Sequence, residues 1–175
     1  MKAILIVGAA MLLSSPVLAQ SAAEKTGINS AIGLAPKTQD FVQEAATGDM
    51  FEIESSKLAL VRSDAPTQKF AQQMITDHQK TTGDIKKLVA SGKVQVMLPT
   101  KMTSAQTAML DKLKALNGTA FTAQYHSDQV SAHKDAVDLF TRYGKKGDNA
   151  ALKDWAAKTR PALQHHLRMA EDLNK

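Results

Sequence analysis

The 175-residue sequence contains no cysteine. That absence excludes a disulfide framework, thiolate-held zinc or iron–sulfur centres, a thiol nucleophile and a lipidated N-terminal cysteine. Any metal must therefore be held by histidine, carboxylate or methionine. Aromatic residues make up only 5% of the chain and β-branched runs are scarce, which argues against a sheet protein. Beyond the first residues no segment is apolar enough to span a bilayer, and no alternating ten-residue strands mark an outer-membrane barrel. There is no basic patch interleaved with aromatics, so nucleic acid is not an expected partner. The Gly-x-Ser-x-Gly elbow of a hydrolase is missing, and Glu52 and Glu54 point to opposite faces of a helix, so they cannot work as an acid/base couple. No catalytic residue is assigned.

What is present begins with an address. Lys2 is followed by the apolar run 3–13, the breaker Ser14-Ser15-Pro16, and Val17-Leu18-Ala19 with small residues where a signal peptidase reads. The pattern predicts a signal peptide over 1–19, since the run is shorter than the roughly 20 residues a spanning helix needs. The expected product is an exported protein, in the periplasm of a Gram-negative bacterium. Cleavage takes one lysine and no acid from the formal charge of +5, leaving +4. Basic residues are spread along the chain, which gives a solvated surface with, as the alternative, weak peripheral attraction to anionic envelope components.

Residues 20–37, rich in Ser, Ala and Gly, read as a flexible leader, and a single domain is expected over 38–175. Helical periodicity predicts a first long helix over 38–62, a break at Ser63-Asp64-Ala65-Pro66, and a second over 66–91 ending at Gly92. A long crossover follows, with a short helix opened by the capping box at Thr103 and Gln106 and a stop at Asn117-Gly118. A third long helix is expected over 119–143, Gly144 and Gly147 mark a tight connection, and a fourth runs from an Asp148 cap to about 174 with a kink at Pro161. Two antiparallel hairpins joined by one long crossover form the ferritin-like arrangement of an all-α four-helix bundle.

At about 100° per residue, each long helix aims ionisable side chains at its apolar face. The residues are Glu52, His78, His133 with His126 two turns earlier, and His166; Glu54 and His165 fall outside. Their heights predict either one site bent by Pro161, or a Glu52/His78/His133 layer with a separate His126/His166 pair. Buried groups of this kind need partners. In one arrangement Glu52 accepts from His78 or His133, and the other nitrogens reach Gln129, Thr81, Thr82, Thr159 or water, forming a structural polar layer. In the other, Glu52, His78, His133 and His166 converge on a divalent transition metal such as Zn, Fe, Mn, Ni or Cu. Met74 and Met169 lie one turn from His78 and His166, where thioethers would favour copper, although methionine at this spacing is more often core. Asp77 beside His78 reads as a solvated charge, with contact to a ligand from the rim as the alternative.

Several strings resemble one bacterial family: Phe41-Val42-Gln43-Glu44-Ala45-Ala46, Glu52-Ile53-Glu54, Phe70-Ala71 with Met74-Ile75-Thr76-Asp77-His78, Phe121 and Tyr125 with His133, and Pro161-Ala162-Leu163 with His166-Leu167. They are similar to the domain of unknown function 4142 family, over about residues 37–173. The resemblance implies an exported ferritin-like bundle, often labelled an outer membrane protein, with no established activity. The di-iron site of ferritin-like proteins needs Glu-x-x-His on two helices, and no Glu-x-x-His occurs here. Asp49 stands where the family commonly has a second glycine, a change to which the sequence attaches no function.

Overall fold

The computed structural model describes Glu24 and residues 27–175, and these contain helices and no strand. The expected signal, 1–19, lies outside the described residues. A one-turn helix α1 (Ile28–Ala31) precedes α2 (Thr38–Arg62), α3 (Ala65–Ala90), α4 (Ser104–Ala115), α5 (Gly118–Lys146) and α6 (Ala150–Leu173). None is long and apolar enough to cross a membrane.

The helix ends follow local chemistry. Asp64 caps α3 by accepting from the Thr67 amide at 3.0 Å. At α4 the predicted capping box forms, with Thr103 and Gln106 each bonding the other's backbone amide. Two boundaries differ from the sequence reading. Asn149, rather than Asp148, caps α6, accepting from the Leu152 amide at 3.0 Å, while Asp148 instead accepts from Thr38 and Tyr143. Gly144 is no stop: α5 continues to Lys146. A Cβ at Gly144 would stand 3.1 Å from the Ala157 amide nitrogen, so the glycine lets the backbones of α5 and α6 approach closely. The α6 helix runs on through Pro161, whose ring leaves the Ala157 carbonyl without its usual helical donor.

The long helices pair most extensively as α2 with α3 and α5 with α6, then across these pairs as α2 with α5 and α3 with α6. The crossover helix α4 packs on α2 and is fastened by Arg62, whose Nη1 donates to the Leu113, Lys114 and Leu116 carbonyls. The described part of the expected leader is fastened too. Glu24 pairs with Arg142 of α5 at 2.6 Å, and Arg142 Nη1 donates to the Leu34 carbonyl at 2.6 Å.

Two apolar clusters fill the interior. One gathers Phe41, Val42, Ile85, Phe140, Tyr143 and Leu152, the other Phe51, Phe70, Met74, Phe121, Tyr125 and Ala170. Each long helix contributes to both and carries buried polar residues at or next to the place where they meet. Among them are Asp49 and Glu52 on α2, His78 on α3, Gln129 and His133 on α5, and His166 on α6.

Candidate metal centre

The histidines are delivered by helical period. His78 follows the buried Phe70, Ala71 and Met74 on α3, His133 follows Tyr125 and Gln129 on α5, and His166 follows Leu163 on α6. All three are buried, and one nitrogen from each ring lies within 4.8 Å of one from each of the others. Ring centroids are 5.7 Å apart for His78 with His133, 5.7 Å for His78 with His166, and 5.4 Å for His133 with His166. One cluster forms, not a layer with a second pair. His126 is elsewhere, its Nε2 2.9 Å from Thr67 Oγ1.

Every ring is held by one nitrogen and bare at the other. His78 Nδ1 bonds Asp49 Oδ1 at 2.8 Å, and Asp49 Oδ2 in turn accepts from Thr81 at 2.8 Å and Thr82 at 3.0 Å. His166 Nε2 bonds Asp77 Oδ2 at 2.8 Å, an oxygen that also accepts from Gln73 at 2.7 Å. His133 Nδ1 donates to the Gln129 carbonyl one turn back at 2.9 Å. A carbonyl can only accept, so this bond fixes the Nδ1–H tautomer and leaves a lone pair on Nε2. The nitrogens without a partner are Nε2 of His78, Nε2 of His133 and Nδ1 of His166. Leaving a buried polar atom unpaired costs about 1–3 kcal/mol, so three together demand an explanation.

Glu52, the fourth predicted ligand, is buried on α2 but does not join the 4.8 Å set. Neither of its oxygens has a hydrogen-bond partner of good geometry, and neither does the Gln129 amide group. Glu52 thus accepts nothing from His78 or His133, and Thr81 and Thr82 serve Asp49 rather than an imidazole.

Electrostatics sort the rings. Burial, with the charge of His78 nearby, holds His133 down to about 3, against the pull of its bond to Gln129. Burial also brings His166 down to about 4, although Asp77 works the other way. For His78 burial lowers affinity for the proton, but the Asp49 bond and the charges of Asp49, Glu52 and Asp77 outweigh it, so the pKa is raised. Burial raises Glu52 above the carboxylate range, with His78, Gln129 and His166 opposing. Around pH 7, then, His133 and His166 are neutral imidazoles with free lone pairs.

The family described as "Domain of unknown function (DUF4142)" matches residues 23–173. The chain belongs to that family. No curated protein and no solved structure gives a match.

In this DUF4142 chain sequence reasoning missed Asp49 and favoured a solvated Asp77, yet these carboxylates orient two of the three rings. Beside the cluster lies a cavity of about 350 Å³, lined by Glu52, His78 and His133 together with apolar residues such as Ala136, Phe140 and Leu163. Three convergent imidazoles steadied from behind by carboxylates or a carbonyl, next to an open space, can accept a metal ion and still leave it a free coordination position.

Proposed function

We propose that this DUF4142 protein is an exported, ferritin-like four-helix bundle that holds one divalent transition metal on His78, His133 and His166, with Glu52 supplying a carboxylate beside it. The observation that carries this reading is the set of three buried ring nitrogens, without partners, at the centre of rings whose other nitrogens are all engaged. A single cation satisfies all three at once. Zinc bonds imidazole at about 2.0–2.1 Å, which sets ligand nitrogens about 3.4 Å apart in a tetrahedron, so the rings need to close by on the order of 1 Å. A nitrogen and oxygen donor set without thiolate suits zinc and also accommodates iron, manganese, nickel or copper(II). Met74 sits in an apolar cluster, which fits plain core and gives no support to a thioether ligand.

The bundle reading is supported by the two helix pairs and the crossover helix that links them, and the export reading by Lys2, the apolar run and the small residues ending at Ala19. Mass spectrometry of protein from fractionated cells tests the latter, with a mature N-terminus at Gln20 expected and an intact Met1 in the cytoplasmic fraction against it.

The metal reading is tested on full-length mature protein stripped with a chelator and titrated with zinc and cobalt(II). Saturation at 100 times Kd stabilises the fold by about 2.7 kcal/mol, visible as a rise in Tm, and cobalt(II) develops visible absorption bands. An unchanged Tm with both ions and a featureless cobalt spectrum would overturn it. The competing reading, a structural polar layer in a non-catalytic envelope or stress-associated structural or binding module, draws on the position of these residues where two apolar clusters meet. It expects His133→Asn to fold and leave cellular function intact.

A further inference from the structure

A buried ion site needs a way in, and the cavity walls mark one. The cavity beside the cluster is lined by Glu44 and Asp135 as well as by Glu52, His78 and His133. Glu44 and Asp135 are shared with a second, more open depression on the flank of the bundle, which also holds Glu24, Asp138 and Arg142. Four carboxyl groups thus meet one guanidinium there. Arg142 pairs with Glu24 at 2.6 Å and with Asp138 at 2.8 Å, and Glu44 and Asp135 line both spaces.

We propose that this route, from the acidic depression past Glu44 and Asp135 to Glu52 and on to the histidines, is the passage by which a divalent cation reaches the centre. The inference rests on the metal reading above and adds the path to it. What points to a cation at the inner end is independent of the acidic mouth: Glu52 is 4% exposed, His78 5% and His133 1%, all three line the cavity, and each has a buried side-chain atom with no hydrogen-bond partner of good geometry. An acidic mouth over low-dielectric walls concentrates cations and repels anions. Burial, together with the charges of Glu24, Asp40 and Asp135 against that of Arg142, holds the Glu44 proton up to about 8, so an arriving cation displaces a proton where anions are crowded. Glu52 then stands as the last carboxylate before the imidazoles, close enough for its charge to act on both His78 and His166. A charge at the mouth that does not bond the bound ion acts mainly on arrival, and on the seated ion only through the screened distance between them.

Stopped-flow mixing of the metal-free full chain with cobalt(II), followed by the visible bands, measures arrival, and chelator chase measures departure. Asp135→Lys is expected to slow arrival about tenfold at low salt, within the range by which charged clefts alter association, and to change departure much less. Glu44→Gln slows arrival more modestly and serves if Asp135→Lys fails to fold. Raising ionic strength from 0.02 to 0.5 M should slow the unmodified protein and narrow its lead over the variants. Asp172→Lys, which makes the same charge change at an exposed residue near the end of α6, should alter neither rate. Unchanged rates in both passage variants, or a weakened Kd with normal arrival, would overturn the passage while the metal centre stands. Absence of cobalt binding in the unmodified protein would overturn the metal centre and the passage with it.

Discussion

Replacing Asp49 by asparagine keeps the shape of the side chain and removes its second acceptor oxygen. In the structure one Asp49 oxygen takes the bond with His78 Nδ1 and the other takes protons from both Thr81 and Thr82. An amide can serve only one side as acceptor. If its oxygen faces the threonines, its NH2 faces His78 Nδ1, which must then accept, and the ring proton moves to Nε2, where the metal lone pair should be. If its oxygen faces His78, two half-buried hydroxyls lose their acceptor; Thr81 retains a bond to the His78 carbonyl at 3.0 Å, so the loss falls chiefly on Thr82. Each lost hydrogen bond is worth about 1 kcal/mol, so the amide oxygen turns to the threonines and the ring changes tautomer. Removing an outer partner of a metal-binding histidine lowers affinity about 10–100-fold, which is about 1.4–2.7 kcal/mol. Competition for zinc against a chromophoric chelator measures that drop, and nitrogen-15 NMR of the imidazoles reports the tautomer. If Asp49→Asn folds, binds zinc within twofold of the unmodified protein, and keeps the proton on Nδ1, the reasoning is refuted.

Three other outcomes follow from the same geometry. Because His133 at about 3 and His166 at about 4 lie below the ordinary histidine value of 6.5, the unfolded chain binds more protons than the folded one between those limits. The metal-free protein should therefore lose several kcal/mol as pH falls from about 6.5 toward 4; thermal melts across that window should show a shallower fall for folded His133→Asn, and a flat profile in the unmodified protein contradicts the assignment. A side chain at Gly144 meets the Ala157 backbone at 3.1 Å, so Gly144→Val forces α5 and α6 apart; denaturant unfolding should show a loss of about 2–3 kcal/mol, and less than 0.5 would contradict the close contact. Glu24→Ala strands Arg142 with only part of its bonding, and breaking a buried pair from one side costs about 3–5 kcal/mol; hydrogen exchange should accelerate over 27–37, and unaltered exchange would mean that the pair does not fasten this segment.

The inward direction of Glu52, His78, His133 and His166 was legible because helical period fixes azimuth along one chain. The partners were not legible, because they lie across helices. Asp49 is one turn before Glu52 on α2, and its inward lean could have been read from that spacing, but its bond is to α3. Asp77, one residue from His78, lies about 100° around α3 and looks solvated until α6 packs beside it and brings His166 to its oxygen. The separation of His126 from His166 was settled by the cross-helix bond of His126 to Thr67, a contact that relative heights along ideal helices could not distinguish. Gly144 was misread for a related reason: a glycine at a helix end and a glycine at a close helix crossing look alike in sequence, and only Ala157 on the neighbouring helix tells them apart. Local signals fared better, as the Thr103–Gln106 box and the Asp64 cap depend on residues within one turn.

The band of hydrophilic side chains between the two greasy halves also acts as an alignment key. Sliding any one of the four rods by a single turn, about 5.4 Å, would carry its histidine or acid into a neighbourhood of phenylalanine and isoleucine and bring a hydrocarbon opposite the remaining charges. Shifted assemblies are thereby penalised at the same height on every rod, as a lone asparagine does in a coiled coil, so the staggering of the bundle is specified whether or not an ion ever enters.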